Sequence, residues 1–359
     1  MLAIERPGVV TFVEVDEEPL PDGGFRVDTR YSGLSAGTEL TFYKGTNPYL
    51  HAQWDDEQGL FRRDLPASTY PVTTLGYMEV GQVRETRTNA VTEGALVAMA
   101  YGHRTSSIAN PLTDHFVMLP DDLDPALGIY VAHMGPICAN GLLHAAADSV
   151  RGDVVRLGDG VCGRLVAVTG AGVVGLLTAL FAKFHGAAEV VVVDPNPQRL
   201  AAAAALGLDV IDEREGDAAE HIKARWRHAA GDRGADVVFQ CRGRPSYLAL
   251  ALRSLRPQGS VIDLAFYQEG AGDVRLGEEF HHNGLTVRCA QISRVPRGLA
   301  HLWDRRRLSS ETVDLLRAEG DVVCRSMITD VVPLDKAPAL LDDLAARRRH
   351  VIQAVFEIC

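Results

Sequence analysis

Gly170, Gly172 and Gly175 stand in the spacing G-x-G-x-x-G, and Asp194 closes the apolar run that follows. Each position has a physical reason. Gly170 permits a tight turn out of a strand, Gly172 lets a pyrophosphate approach the backbone, and Gly175 lets a helix pack close to its sheet. The N–H groups at the start of that helix, at Val173 and Val174, face a phosphate with the positive end of the helix dipole. The Asp194 carboxylate can accept hydrogen bonds from a ribose diol and repels a 2′-phosphate, so NAD is expected over NADP. Arg199 is expected to lie over the adenine edge, its other use being to admit NADP.

The elements around these residues are in the required order. Leu165–Thr169 reads as a buried strand, 173–185 as a helix and 190–193 as the next strand, which makes a βαβ unit. The alternation continues with helices at 201–206, 217–230 and 246–255 and strands at 208–211, 235–241, 259–266 and 285–292. Six strands with intervening helices predict a doubly wound parallel sheet. Cys241, Ala265 and Phe266 follow strand ends on the carboxyl side of that sheet, where ligands bind.

The 359 residues suffice for two domains. A 47% hydrophobic, 23% charged composition is that of a globular protein. A net charge of −11 argues against nucleic acid and against anionic membranes as partners. The opening MLAIERPGVV has no signal-peptide apolar core, and no apolar stretch is long enough to span a bilayer. Six scattered cysteines (138, 162, 241, 289, 324 and 359) without a C-x-x-C pair read as reduced thiols, so a cytoplasmic protein is expected.

The remainder of the chain has a different texture. Residues 1–34 show short alternating runs separated by Gly and Pro, a β-rich pattern. Residues 35–45 read as the start of a loop carrying hydroxyls and Glu39, and 46–71 as an irregular stretch rich in aromatic and charged side chains. Strands are expected at 72–83, 95–100 and 115–119, and a helical stretch at 125–144. From about residue 293 come two charged helices (309–318, 335–346) and a closing strand (351–356). The resulting division is a catalytic domain at 1–135, a nucleotide domain at 136–292 and a segment at 293–359 that returns to the first.

The stretches YSGLSAGTEL, TLGYMEVGQV, VTGAGVVGLL, DPNPQRLAAAAALG, GADVVFQCRG and LRPQGSVIDLAFY resemble landmarks of the medium-chain dehydrogenase/reductase superfamily over nearly the whole chain. Within it, SGLSAGTEL with LGYMEVG is most similar to the branch containing bacteriochlorophyllide dehydrogenases. The resemblance implies an α/β fold: a Rossmann doubly wound parallel sheet plus a β-rich GroES-like catalytic domain. It implies that the backbone at Cys241, Ala265 and Phe266 lines the ribose and nicotinamide. It also implies a homodimer, joined through the outer strand at 285–292.

The departures concern the metal. Where zinc members of the family carry their ligands, this chain has Ser35, Tyr77 with Met78, and a position near Pro136; none is a good zinc ligand. The stretch 101–113 lacks the cysteines of a structural zinc lobe. A relocated site at His133, Cys138 and His144, with Glu79 nearby, has no i, i+4 spacing to recommend it. The expectation is no zinc.

Without zinc, hydrogen-bond donors must stabilise and protonate the substrate oxygen. Thr38 matches the family position whose hydroxyl relays the proton, and Tyr77 brings an O–H into the pocket. Glu39 is expected to orient the loop, and Lys44 follows in the same stretch. Trp54, Arg62 and Arg63 suggest a cover over the substrate mouth that excludes water and reads an anionic or hydroxyl-rich substrate. His282 is a further candidate donor; in a strand, His281 and His282 would point to opposite faces. The expected activity is zinc-independent, NAD-linked interconversion of a secondary alcohol, a polyol or biosynthetic intermediate, with its ketone. The alternatives are an enoyl or quinone reductase and a non-catalytic nucleotide-binding protein.

Overall fold

The structure, a computed structural model, describes residues 1–150, 152–268, 270–292 and 294–358. The chain forms two compact units, Met1–His133 completed by the stretch from Ile328, and Met134–Met327.

The first unit opens with a hairpin of β1 (Leu2–Arg6) and β2 (Val9–Phe12), turned by Gly8 at φ 79°. The long strand β3 (Phe25–Leu34) is its spine. The stretch expected as a loop after it is instead a helix, α1 (Ala36–Lys44), entered at Ser35 and ended by Gly45 in the left-handed region at φ 75°. No apolar stripe announces this helix in the sequence; tertiary packing of Tyr43 against the end of the chain holds it. Residues 46–71 are not structureless: β4 (Gln53–Asp55) and β5 (Leu60–Arg62) form an antiparallel hairpin. Next come β6 (Glu79–Thr86), β7 (Leu96–Met99), β8 (Ser106–Ala109) and β9 (Val117–Met118). The strand expected from residue 72 begins only at Glu79, because Gly76 at φ 87° breaks the extended run; Val72 makes a lone bridge to Ile4.

The second unit begins with α2 (Met134–Ser149). The nucleotide βαβ follows as β10 (Leu165–Thr169), α3 (Val173–Phe184) and β11 (Glu189–Asp194). Then come α4 (Pro197–Ala205), β12 (Asp209–Asp212) and α5 (Ala218–Arg225). The helix expected over 217–230 stops there. Trp226 is buried and donates its indole N–H to Glu189, and a small hairpin of β13 (Arg227–Ala229) and β14 (Asp232–Arg233) takes the remainder. The sheet is completed by β15 (Ala235–Gln240), α6 (Pro245–Ser254), β16 (Leu255–Asp263) and β17 (Thr286–Cys289). Strand order is β12-β11-β10-β15-β16-β17, all parallel, with the switch point between β10 and β15.

The return to the first unit comes later than expected. Helix α7 (Arg305–Met327) runs 23 residues and buries Leu308, Leu315, Leu316 and Val323 within the second unit. Thr312 packs so closely on Gly135 that a Cβ there would lie 2.2 Å from its methyl carbon. Only from Ile328 does the chain rejoin the first unit, as β18 (Ile328–Pro333), α8 (Ala337–Ala345) and β19 (Gln353–Glu357). There β19 pairs antiparallel with β3, giving a sheet ordered β18-β19-β3-β6-β7-β9, with β8 also on β3.

Cys138, Cys162, Cys241, Cys289 and Cys324 are free thiols; Cys359 lies outside the described residues. Among the described residues no helix is long and apolar enough to cross a membrane.

Candidate functional site

The nucleotide turn is built from backbone. Gly170 leaves β10 at φ 102°, a conformation that strains any side chain. A Cβ on Gly175 would stand 1.7 Å from the Gly170 carbonyl oxygen, so helix and turn touch there. At Gly172 the nearest heavy atom to a Cβ would be Arg199 Nη1, at 3.8 Å, so this face of the backbone is open. Gly172 caps α3 with no side chain, which leaves the first-turn N–H groups at Val173 and Val174 for an anion. These features fit a dinucleotide pyrophosphate.

Asp194 is placed differently from a carboxylate standing open to a ribose. It is buried, and its two oxygens accept N–H bonds from Ala171 (2.9 Å) and Asn196 (2.8 Å), so it braces the glycine turn. Arg199 lies 4.0 Å from it. Arg242 is 4.2 Å above the Tyr247 ring and 3.9 Å from Glu213, and Tyr247 in turn bonds Glu213. Two arginines therefore face two carboxylates. Cys241 ends β15 with its N–H on the Thr169 carbonyl, Ala265 donates to Asp263, and Phe266 is exposed. The Phe266 carbonyl sits 2.3 Å from where a Cβ on Gly243 would be, so these strand ends meet at the carboxyl edge of the sheet.

In the first unit, Ser35, Thr38 and Tyr77 come together. The Ser35 hydroxyl touches the Tyr77 hydroxyl, and Tyr77 Oη is 3.5 Å from Thr38 Oγ1. The Tyr77 ring tilts against His133, with centroids 4.6 Å apart. Burial raises the Tyr77 phenol above its ordinary value, with the Ser35 and Thr38 hydrogen bonds opposing. Glu39 is buried one helical turn on, and its Oε1 accepts the Ser35 N–H at 2.7 Å. Lys44 is exposed in the last turn of the same helix, roughly 9 Å along the axis from Thr38, and is not brought to the cluster.

Sequence reasoning missed the group that holds Glu39. His103 Nε2 donates to Glu39 Oε2 at 2.7 Å, and its Nδ1 lies 2.6 Å from Ser32 Oγ. Ser32 Oγ is 3.0 Å from Glu79 Oε1, and Glu79 Oε2 accepts the Tyr101 N–H at 2.9 Å. Every one of these side chains is buried. Burial works against the His103 imidazolium, but Glu39 and Glu79 outweigh it and the net shift is upward; burial also raises Glu79. A signal existed: Glu79 and Gly81 are in phase with core Val83, so a carboxylate there needed a buried partner.

The zinc positions do not fit zinc. Ser35 and Tyr77 offer hydroxyls to each other, Met78 is a core side chain against Gly33, and Pro136 lies inside α2. Cys138 faces the Val174 carbonyl and is pushed up to about 12 by burial, while His144 bonds the Arg294 carbonyl, so those two do not converge. Among the described residues no three His, Cys, Asp or Glu side chains gather in a way that could hold a metal ion.

The remaining candidates make other contacts. Trp54 and Phe61 face each other across the β4–β5 hairpin (5.1 Å), with Tyr49 against Phe61 (5.4 Å). Arg62 closes its fork on Asp64, at 2.9 and 2.5 Å; Arg63 is exposed. A cavity of about 450 Å³ is lined by Phe42, Tyr49, Ser68, Thr69, Pro71, Val72, Thr73 and Thr74, four of them hydroxyl-bearing residues of the Ser and Thr type. His281 and His282 are on a helical turn rather than a strand; His282 is exposed on the second unit and bonds the Glu278 carbonyl.

Residues 173–301 match the family model of zinc-binding dehydrogenases, a stretch that contains none of positions 35, 77 and 136. D-guloside 3-dehydrogenase of Shigella flexneri is 26% identical over 350 residues, covering 94% of this chain and 93% of that protein. In structure, 2R,3R-butanediol dehydrogenase from Bacillus subtilis is similar at TM-score 0.74 and 18% identity, covering 100% of this chain and 99% of that one. Galactitol-1-phosphate dehydrogenase from Escherichia coli is similar at TM-score 0.74 and 17% identity, over 99% of each chain. These relatives, together with the matched stretch, mark the chain as an oxidoreductase of the dehydrogenase class. The comparisons support a place in the medium-chain dehydrogenase/reductase superfamily.

Proposed function

We propose that the protein is an NAD-linked dehydrogenase of a secondary alcohol in which a hydroxyl cluster stands at the substrate oxygen in place of zinc. The observation that carries this is the meeting of Ser35, Thr38 and Tyr77 hydroxyls where the zinc members of the family have ligands. Bound NAD would supply the hydride acceptor. In the ketone direction Tyr77 donates its proton to the forming alkoxide, and a phenol held above its ordinary pKa keeps that proton at neutral pH. In the alcohol direction Tyr77 takes the substrate's hydroxyl proton as it passes its own to Thr38, and Thr38, which is only half-buried, passes its own in turn to solvent. The guloside and butanediol relatives support a hydroxyl-rich substrate, as does the Ser- and Thr-lined cavity beside Tyr49.

NAD follows from charge. Asp194 and Glu213 already balance Arg199 and Arg242, so a diol adds nothing to the account, whereas a 2′-phosphate adds unbalanced negative charge. Titration by tryptophan fluorescence should show NAD binding at least about tenfold tighter than NADP; equal affinities would contradict the reading. Metal analysis should find no stoichiometric zinc, and turnover should survive chelator. Loss of the ligand set also favours an enoyl or quinone reductase. A screen of secondary alcohols against enones decides between C–O and C=C chemistry.

A further inference from the structure

Glu39, His103, Ser32 and Glu79 form one buried chain of hydrogen bonds, clamped at both ends by backbone N–H groups of Ser35 and Tyr101. Donors and acceptors along it can be arranged in more than one way that satisfies every contact, and two of these keep Nε2–H donating to Glu39. In the first, His103 is an imidazolium that donates to Glu39 and to Ser32, and Ser32 donates to the Glu79 carboxylate. In the second, Glu79 carries the proton and donates to Ser32, Ser32 donates to Nδ1, and Nε2–H still donates to Glu39. Going from the first to the second breaks Nδ1–H and forms Oγ–H, then breaks the other Oγ–H and forms Oε1–H. Two protons each cross one hydrogen bond, the net transfer from His103 to Glu79 is one proton, and no heavy atom moves. Both arrangements carry the same single extra proton and leave one net negative charge in the core.

The backbone has been shaped around this chain. Gly76, next to Tyr77, sits at φ 87°, and a Cβ there would be 2.8 Å from both Glu79 Oε1 and His103 Nδ1. Phe356 closes the His103 ring edge-on at 5.0 Å. At the other end, the Ser35 N–H is fixed by Glu39, and the Ser35 side chain is thereby aimed at Tyr77 rather than capping α1.

We propose that His103 is a positioning residue for Tyr77, holding through Glu39 the Ser35 that meets its hydroxyl and keeping one proton in the core beside it. The proposal rests on the reading of Tyr77 as the group at the substrate oxygen. The ionisable groups facing Tyr77 are Glu39 from α1, Glu79 from β6 and the His133 ring; Tyr101 and Arg104 stand behind Glu79. Two carboxylates oppose ionisation of the phenol, and the stored proton cancels one of them.

The test is direct titration. With difluorotyrosine at position 77, which brings the phenol into a measurable range, fluorine NMR follows its ionisation in the full chain. His103→Gln removes the proton store and should move the midpoint up by roughly one pH unit; Glu79→Gln removes a carboxylate and should move it down. A purely structural role gives no such opposite shifts, and their absence in folded variants overturns the proposal. In the unsubstituted protein, ring-nitrogen NMR should show His103 still protonated above the range of an ordinary histidine. Deprotonation at the ordinary histidine pH overturns the proposal even if neither variant folds. The urea midpoint of each variant serves as the folding control for the unit that carries the substitutions, and NAD affinity, which is read at the other unit, should be unchanged. If the shifts appear and no alcohol is oxidised, the reading of Tyr77 at the substrate oxygen fails and the proton store stands. If alcohols are oxidised and the shifts are absent, the reverse holds.

Discussion

The glycine turn of the second unit and the buried polar chain of the first solve opposite problems. At the turn, the design is an absence of side chains: backbone N–H groups are left open to an anion, and the residues involved lie within one βαβ unit. In the polar chain, function needs specific side chains removed from water, and no two adjoining members come from the same element. Removing one member of the turn blocks a ligand. Removing one member of the chain leaves a buried charge or hydrogen-bonding group without its partner, so stability suffers together with chemistry.

The largest effect on NAD binding should come from comparing two alanine variants in the turn. In Gly175→Ala the new Cβ meets the Gly170 carbonyl at 1.7 Å, so helix and strand must separate; NAD binding should vanish and stability fall by about 3 kcal/mol. Gly172→Ala meets nothing closer than 3.8 Å, so the fold should hold while NAD binding is lost. Calorimetric unfolding and NAD titration of the two variants separate packing from pyrophosphate access. Equal unfolding temperatures for both would contradict this division of labour.

The chain makes the contrasting case. Glu79→Ala strips Ser32 and the Tyr101 N–H of an acceptor and His103 of a nearby negative charge in a site closed to water, and should cost about 3–5 kcal/mol, read from the urea midpoint. Glu79→Gln keeps the shape and should cost clearly less. If alanine and glutamine cost the same, the carboxylate has no electrostatic part in the network.

The two regions also differ in how far sequence reveals them. The turn was legible with its strand, helix and closing acid, because spacing within a few tens of residues encodes it; the one surprise was Asp194, which turns inward to Ala171. The polar chain was half legible. Thr38, Glu39 and Tyr77 could be picked out, yet Ser32 and Glu79 are 47 residues apart, Glu39 and His103 64, and Ser32 and His103 71. Those separations are bridged by pairing among β3, β6 and their neighbours, which periodicity cannot report. Helix α1 was hidden for a related reason, since its packing partner lies near the end of the chain.

A smaller effect separates the regions by pH. Both His103 and Glu79 are shifted upward, His103 by its two carboxylates against burial and Glu79 by burial. Above the ordinary carboxylate and histidine ranges the native state therefore binds more protons than the unfolded chain. Stability must fall as pH rises through that window. Urea midpoints taken from weakly acidic to alkaline pH should decline, and the decline should flatten in His103→Gln. A rise in stability over that range would reverse the assigned sign.

The smallest effect on stability, and the sharpest on substrate, is expected at the β4–β5 hairpin. Its aromatic contacts among Tyr49, Trp54 and Phe61 are internal, and Phe61 is still about half exposed, so the hairpin adds little to the core beneath it. Arg62 is committed to Asp64 and Asp55, which removes one of the two arginines first considered for reading an anion and shifts the weight toward a hydroxyl-rich substrate. Tyr49 nevertheless lines the cavity that also carries Ser68, Thr69, Thr73 and Thr74, and Thr74 lies three residues before Tyr77. The hairpin itself lines none of this cavity but backs it through Phe61, which packs on Tyr49, so it is suited to hold that wall of the cavity rather than the fold. Replacing residues 53–62 by a short glycine-serine link should leave the unfolding midpoint within about 0.5 kcal/mol and NAD affinity unchanged. KM for the alcohol should rise about tenfold or more, with a smaller change in kcat, because ground-state holding is what is lost. Unchanged KM would sink the covering role and leave the hairpin as a surface elaboration. A fall in kcat at constant KM would instead tie the hairpin to the Tyr77 cluster itself.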